Sequence, residues 1–189
     1  MTSEDQMRAD GDGSEATRIA VALILLRYCA WSPGQGQPEW RTSARDLMSQ
    51  AVRLATAIVE QEPGWRTSIE QLSVGVEDWL EGYDPDAGPF RTKIFQHINL
   101  IFDALRLISD PGRRELLESC FRRADQLAEG AVYRGTKHYQ GQWSFVDLKQ
   151  REGEIRALAS DDSAQARSLS RDFSRLYADV LENSFTVVS

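Results

Sequence analysis

The stretch Ala16-Thr17-Arg18-Ile19-Ala20-Val21-Ala22-Leu23-Ile24-Leu25-Leu26-Arg27-Tyr28-Cys29-Ala30 decides the fold. From Ile19 to Leu26 no residue is polar, so the run has no solvent face in any regular structure. A strand is the competing reading for so short a run. The Ala and Leu content favours a helix, and no other stretch offers a strand to pair with. A helix that is apolar all round must be central and buried. The rest of the chain then has to supply amphipathic helices to surround it.

The flanking sequence does so. Over about Ala44–Glu60, Ala44, Leu47, Met48, Ala51, Leu54, Ala55 and Ile58 recur at the i, i+3, i+4, i+7 spacing of one helix face. Ser43 and Asp46 resemble a capping box at its start. Pro63-Gly64 breaks the chain, and Thr67 with Glu70 predicts the start of a third helix reaching about Tyr83. Its inward residues are Ile69, Leu72, Val76, Trp79 and Leu80, with Gly75 among them. After the turn at residues 84–89 a fourth helix, about Arg91–Ser109, is apolar enough to be the second central one. Asp110-Pro111 opens a fifth, with Leu116, Cys120, Ala124 and Leu127 on its stripe and an end near Gly130. An irregular stretch to about Trp143 follows. A sixth helix is expected over Phe145–Ala159, and a seventh from Asp162 or Ser163 carrying Leu169, Phe173, Tyr177 and Val180. The expected fold is all-α: a single bundle of about seven helices over residues 14–185, opened by Ser14 as N-cap. Residues 1–13, polar and acidic, are expected to form a disordered tail.

One motif echoes. Trp40-Arg41-Thr42-Ser43 and Trp65-Arg66-Thr67-Ser68 stand 25 residues apart, and Phe90-Arg91-Thr92 stands 25 further on. Each follows a proline closely. The physical reading is a helix-start device, an aromatic at the helix mouth with a hydroxyl cap. The spacing is too short for a two-helix solenoid repeat.

A chain of 189 residues fits one domain. The net charge of -7 argues against binding to duplex nucleic acid, which Lys and Arg drive by releasing counterions. The acid is segregated: residues 1–16 carry -4 and residues 60–86 carry -7, which leaves the remainder at +4. Cys29 and Cys120 lie among apolar neighbours and read as buried structural thiols. The run Ile19–Leu26 falls far short of a membrane span, and no secretory signal is visible, so a reducing cytoplasm is expected. No metal or cofactor is expected. His97 and His138 are far apart, no Cys-x-x-Cys occurs, and Asp84-Pro85-Asp86 lacks the Gly and Glu a calcium loop needs. Nucleotide loops and the Gly-x-Ser-x-Gly elbow are also missing from the sequence.

Two features bear on function. Val132–Phe145 is aromatic, basic and free of acids in an otherwise acidic chain. Tyr133, Arg134, Lys137, His138, Tyr139 and Trp143 are the candidate binding residues, since Tyr, Trp and Arg dominate binding hot spots. A loop held by a rigid scaffold is a common place for a site. The expected function is a non-catalytic, regulatory interaction domain whose partner is a protein, an anion or a second copy of itself. A small-anion sensor using Arg134, Lys137 and His138 is one alternative. The other begins with Arg91 and His97, spaced Arg-x-x-x-x-x-His. This resembles the Arg–His signature of HEPN-type helical ribonucleases, which implies a dimeric nuclease with Arg91 and His97 at its centre. Six residues is about 240° of helical rotation, so the two side chains would not share a face.

Overall fold

The computed structural model describes residues 3–31, 39–83, 89–138, 148–159 and 162–185, with side chains placed for all of these except 3–12, 39–41, 89–91, 132–138, 163 and 182–185. Among the described residues there are seven α-helices and no strand: α1 (Ser3–Tyr28), α2 (Glu39–Val59), α3 (Trp65–Glu81), α4 (Pro89–Ser109), α5 (Arg114–His138), α6 (Leu148–Leu158) and α7 (Ser163–Phe185).

The all-apolar run is the centre of the bundle. Val21 to Leu25 are each fully buried, and α1 packs on α2, α4, α5 and α7. α4 is the second central helix. It packs on α1, α2, α3 and α5 and buries Ile94, Ile98, Ile101, Leu105 and Ile108 among others. Each such side chain contributes about 1.5–3 kcal/mol on leaving water. α1 and α4 run antiparallel: Arg18 Nε donates to the Ile108 carbonyl at one end (3.0 Å), and the Trp31 and His97 rings meet at the other (5.2 Å). The α4–α5 and α5–α6 pairs are antiparallel as well. Asp103 on α4 accepts from Ser119 and Arg123 on α5, and Arg156 on α6 reaches Asp125 on α5.

The helix starts need correction. α2 begins at Glu39, so Ser43 lies inside it and is no cap. α3 begins at Trp65 after Gly64, whose φ of 92° is the left-handed region, and no side chain caps it. The Thr67 N–H donates to the Gly64 carbonyl instead (3.2 Å). All three echoed motifs do fall in the first turn of a helix, those of α2, α3 and α4. At Trp65 the aromatic packs on the core, with the guanidiniums of Arg18 and Arg66 over its ring. The side chains of Trp40, Arg41, Phe90 and Arg91 lie outside the described residues. α5 begins at Arg114, after a turn in which Arg113 donates to the Asp110 carbonyl. α7 starts as expected, with Asp162 Oδ1 accepting from the Gln165 N–H (2.9 Å). Ser14 is not a cap, since α1 is already under way at Ser3, yet the first fully buried side chain described on α1 is Val21.

The largest correction is at α5. It passes Gly130 and continues to His138, so residues 132–138 are helix, not loop. Gly130 is not a terminator. A Cβ there would stand 2.9 Å from Lys93 Nζ, so the missing side chain makes room for a lysine buried between α4 and α5. Gly75 plays the same part for Leu47, whose Cδ2 would meet a Cβ at 2.9 Å. No helix among the described residues is long and apolar enough to cross a membrane.

Candidate functional site

Among the described residues the buried hydrophilic side chains include Arg27, Lys93, His97, Asp103, Glu152 and Ser170. All but Asp103 belong to two adjoining clusters among α1, α4, α6 and α7.

The first cluster centres on a carboxylate. Glu152 projects from α6 with no exposure, and Arg27 on α1 is 2% exposed. The guanidinium grips it bidentately: Nε donates to Oε2 and Nη2 to Oε1, both at 2.6 Å. The Tyr28 hydroxyl donates to Oε2 (3.0 Å), and Arg156 Nη2 donates to Oε1 (3.3 Å). The remaining fork nitrogen, Arg27 Nη1, donates to Ser170 Oγ (3.1 Å), which donates onward to the Ala166 carbonyl (2.7 Å). Burial alone would push the Glu152 carboxyl up. Arg27, Arg156 and the Tyr28 hydroxyl outweigh it and hold it below the usual carboxylate range. Burial, and then the Glu152 charge, push the Tyr28 hydroxyl well up. Glu152 is therefore an ionised, fully hydrogen-bonded buried anion.

The second cluster centres on His97, which is completely buried. Its Nδ1 lies 2.8 Å from the Lys93 carbonyl. A carbonyl only accepts, so Nδ1 carries the proton. The neutral ring then accepts at Nε2 from the Tyr177 hydroxyl, 2.9 Å away. Burial, reinforced by the nearby Lys93 cation, lowers the His97 pKa to about 3. The ring is held as one neutral tautomer. Trp31 and Tyr177 flank it, and Tyr177 in turn packs edge-on against Tyr28, joining the two clusters. His97 lies in the core because it continues the Ile94, Ile98, Ile101 stripe of α4.

These arrangements position and desolvate charge. Neither nitrogen of His97 faces solvent, and both oxygens of Glu152 are occupied, so both groups serve packing and register as they stand. The two cysteines are free and buried. Burial pushes both thiols up, that of Cys120 to about 12. Among the described residues no group of three or more His, Cys, Asp or Glu is placed to hold a metal ion. A cleft of about 390 Å³ between α2 and α3 is lined by Gln50, Arg53, Ser68 and Gln71 over a floor of Leu54 and Leu72.

The backbone places Tyr133, Arg134, Lys137 and His138 on the last two turns of α5. Positions 133 and 137 are four apart, as are 134 and 138, so the segment presents two adjacent helical stripes. Their side chains, and Tyr139 and Trp143 altogether, lie outside the described residues. Arg91 is in the first turn of α4 and its side chain is likewise outside them. Sequence reasoning missed Arg27, Glu152, Lys93 and Tyr177 as one centre. A signal existed: Glu152 stands four after Leu148 and three before Ile155, where an apolar residue belongs.

The chain matches no protein-family model, no curated protein and no solved structure.

Proposed function

We propose that this chain is a non-catalytic helical interaction domain that binds a protein or anionic partner through Tyr133, Arg134, Lys137, His138, Tyr139 and Trp143. One observation carries the reading: α5 continues without a break from the packed body to His138. Four of the six residues therefore stand on a helical backbone, which lowers the entropy lost on binding relative to a free loop. Cationic and aromatic groups there suit an anionic surface, and their charge would steer its approach. The burial of His97 and Glu152 agrees with a scaffold role, and it lends the Arg91–His97 nuclease reading no support. A cytoplasmic location belongs to this reading, with which two free thiols agree.

The test is affinity capture with the full chain as bait, beside the triple variant R134A/K137A/H138A. A partner held by the first should be lost by the second, at unchanged helical content. Each charge-assisted contact removed should weaken the complex by roughly 1.5–3 kcal/mol. The remaining affinity should also lose its salt dependence. Equal capture by both baits would overturn the reading.

A further inference from the structure

We propose that α6 is a displaceable internal ligand. Arg27, Tyr28 and Ser170 form a carboxylate receptor on the body of the bundle, and Glu152 occupies it in cis. A partner helix carrying Leu, Glu and Ile at the spacing of Leu148, Glu152 and Ile155 can occupy it in trans.

The receptor is built without α6. Arg27 is tied through Nη1 to Ser170 on α7, and Ser170 is tied to its own helix at Ala166. Tyr28 is wedged edge-on against Phe173 and Tyr177, with ring centroids 5.3 and 4.9 Å away. Two helices of the body thus aim a planar two-donor fork and a hydroxyl at one point. That is the geometry that recognises a carboxylate bidentately.

What fills the receptor is a short helix with few buried side chains. α6 has eleven residues, of which Leu148, Glu152 and Ile155 are buried. It packs on α5 and α7. Its ties include an ion pair between exposed Lys149 and Glu129 and a part-exposed one between Arg156 and Asp125. Such pairs contribute little in water. Arg156 also covers the Phe121 ring (4.3 Å), but its Nε is buried with no hydrogen-bond partner among the described residues. An unsatisfied buried donor favours undocking, because water would satisfy it. The docked state rests on the hydrogen-bonded Glu152 carboxylate, two buried aliphatic side chains and the half-buried Leu158. Short elements with few buried apolar contacts are the ones that open locally. The occupant's chemistry is read from α6 itself: an amphipathic segment with one carboxylate at the centre of an otherwise apolar stripe.

Amide exchange of the full chain tests the opening. The α6 amides should exchange about ten-fold or more faster than those of α1 and α4. Exchange of α6 in step with α1 and α4 would overturn the proposal. A synthetic peptide of Leu148–Leu158, added in excess to isotope-labelled wild-type chain, tests the receptor. It should raise exchange in the chain's own α6, and the same peptide with Glu152→Gln should do so about ten-fold less effectively. Equal effect of the two peptides, or none from either, would overturn the receptor assignment. Neither arm depends on the segment at the end of α5, so failure here and failure of the interaction reading are distinguishable.

Discussion

α4 and α6 each join the bundle by a stripe of inward-facing residues, and the two stripes differ in kind. That of α4 is aliphatic over Ile94, Ile98, Ile101, Leu105 and Ile108. That of α6 is Leu148, Glu152 and Ile155, with the carboxylate in the middle. Aliphatic burial is large and non-directional, so it tolerates repacking and small slips. A bidentate Arg–carboxylate contact allows one register only, and its attraction is largely offset by taking both charges out of water. α4 thus supplies stability, whereas Glu152 specifies where a short helix sits. Removing a methylene from the first leaves a small cavity. Removing a partner from the second leaves a bare charge.

The largest expected effect follows from that asymmetry. Arg27→Ala should destabilise the chain by about 3–5 kcal/mol, by stranding the buried Glu152 carboxylate. Ile101→Ala should cost about 2–5 kcal/mol through its cavity. The distinction lies in rescue. Arg27→Met combined with Glu152→Leu should recover most of the first loss, because an apolar pair of similar volume has no charge to desolvate. Urea denaturation followed by circular dichroism measures all three. A double variant no more stable than Arg27→Ala would break the comparison. A single-variant loss well under 3 kcal/mol would sharpen it, since undocking of α6 returns Glu152 to water and caps the penalty at the free energy that holds α6 down.

A smaller effect separates the two stripes by pH. His97 is neutral when folded, with a pKa lowered to about 3 from 6.5. Its contribution is complete above pH 6.5. As pH falls toward 3 the unfolded chain takes up a proton that the folded chain refuses, so stability declines by up to about 1.4 kcal/mol per pH unit. Glu152 acts later. Its carboxyl is held below the ordinary 4.5, so its contribution is present above that value and is lost as pH falls through the depressed folded pKa. Between pH 6.5 and 4.5 the decline should report His97 on α4, and below 4.5 it should report His97 and Glu152 together. Denaturation of His97→Gln at a series of pH values should show the first decline flattened and the second reduced to the part that Glu152 causes. An unaltered first decline would mean that another group causes it.

These two stripes also show what the sequence made legible. The helices of the core were readable because each repeats apolar residues at helical spacing, and α1 and α4 stood out as central because their apolar faces are too wide for a surface helix. The polar centre was not readable. Arg27 and Glu152 are 125 positions apart, and periodicity ranks residues by face without saying which faces meet. The end of α5 was misread for a related reason. Gly130 looks like a stop in one dimension, whereas its cause is Lys93, a residue on another helix. Thr67 failed as a cap because Gly64 turns the chain three residues earlier. The candidate binding segment was visible only as composition, and the structure adds to it the helical backbone of residues 133–138.

The smallest expected effect tests whether α6 behaves as a separate unit. Gly153 is exposed in the middle of α6, and a Cβ there would meet nothing within 4 Å. Gly153→Ala should therefore stabilise the helix by about 0.5–1 kcal/mol, since alanine loses less backbone entropy on ordering. Its α6 amides should exchange about two- to five-fold more slowly than those of the wild type. Gly75→Ala provides the contrast: its Cβ would press on Leu47 at 2.9 Å, where α2 and α3 meet, so the same helical gain is offset by the clash. The informative pairing is with Ile101→Ala. A core truncation lowers the free energy of global unfolding but not that of a local opening in which the core stays packed. Ile101→Ala should then speed exchange in α1 and α4 and leave α6 as it was, while Gly153→Ala slows α6. If Ile101→Ala speeds α6 by the same factor as α1, then α6 opens only when the whole bundle does. Its carboxylate would in that case be one more part of the core.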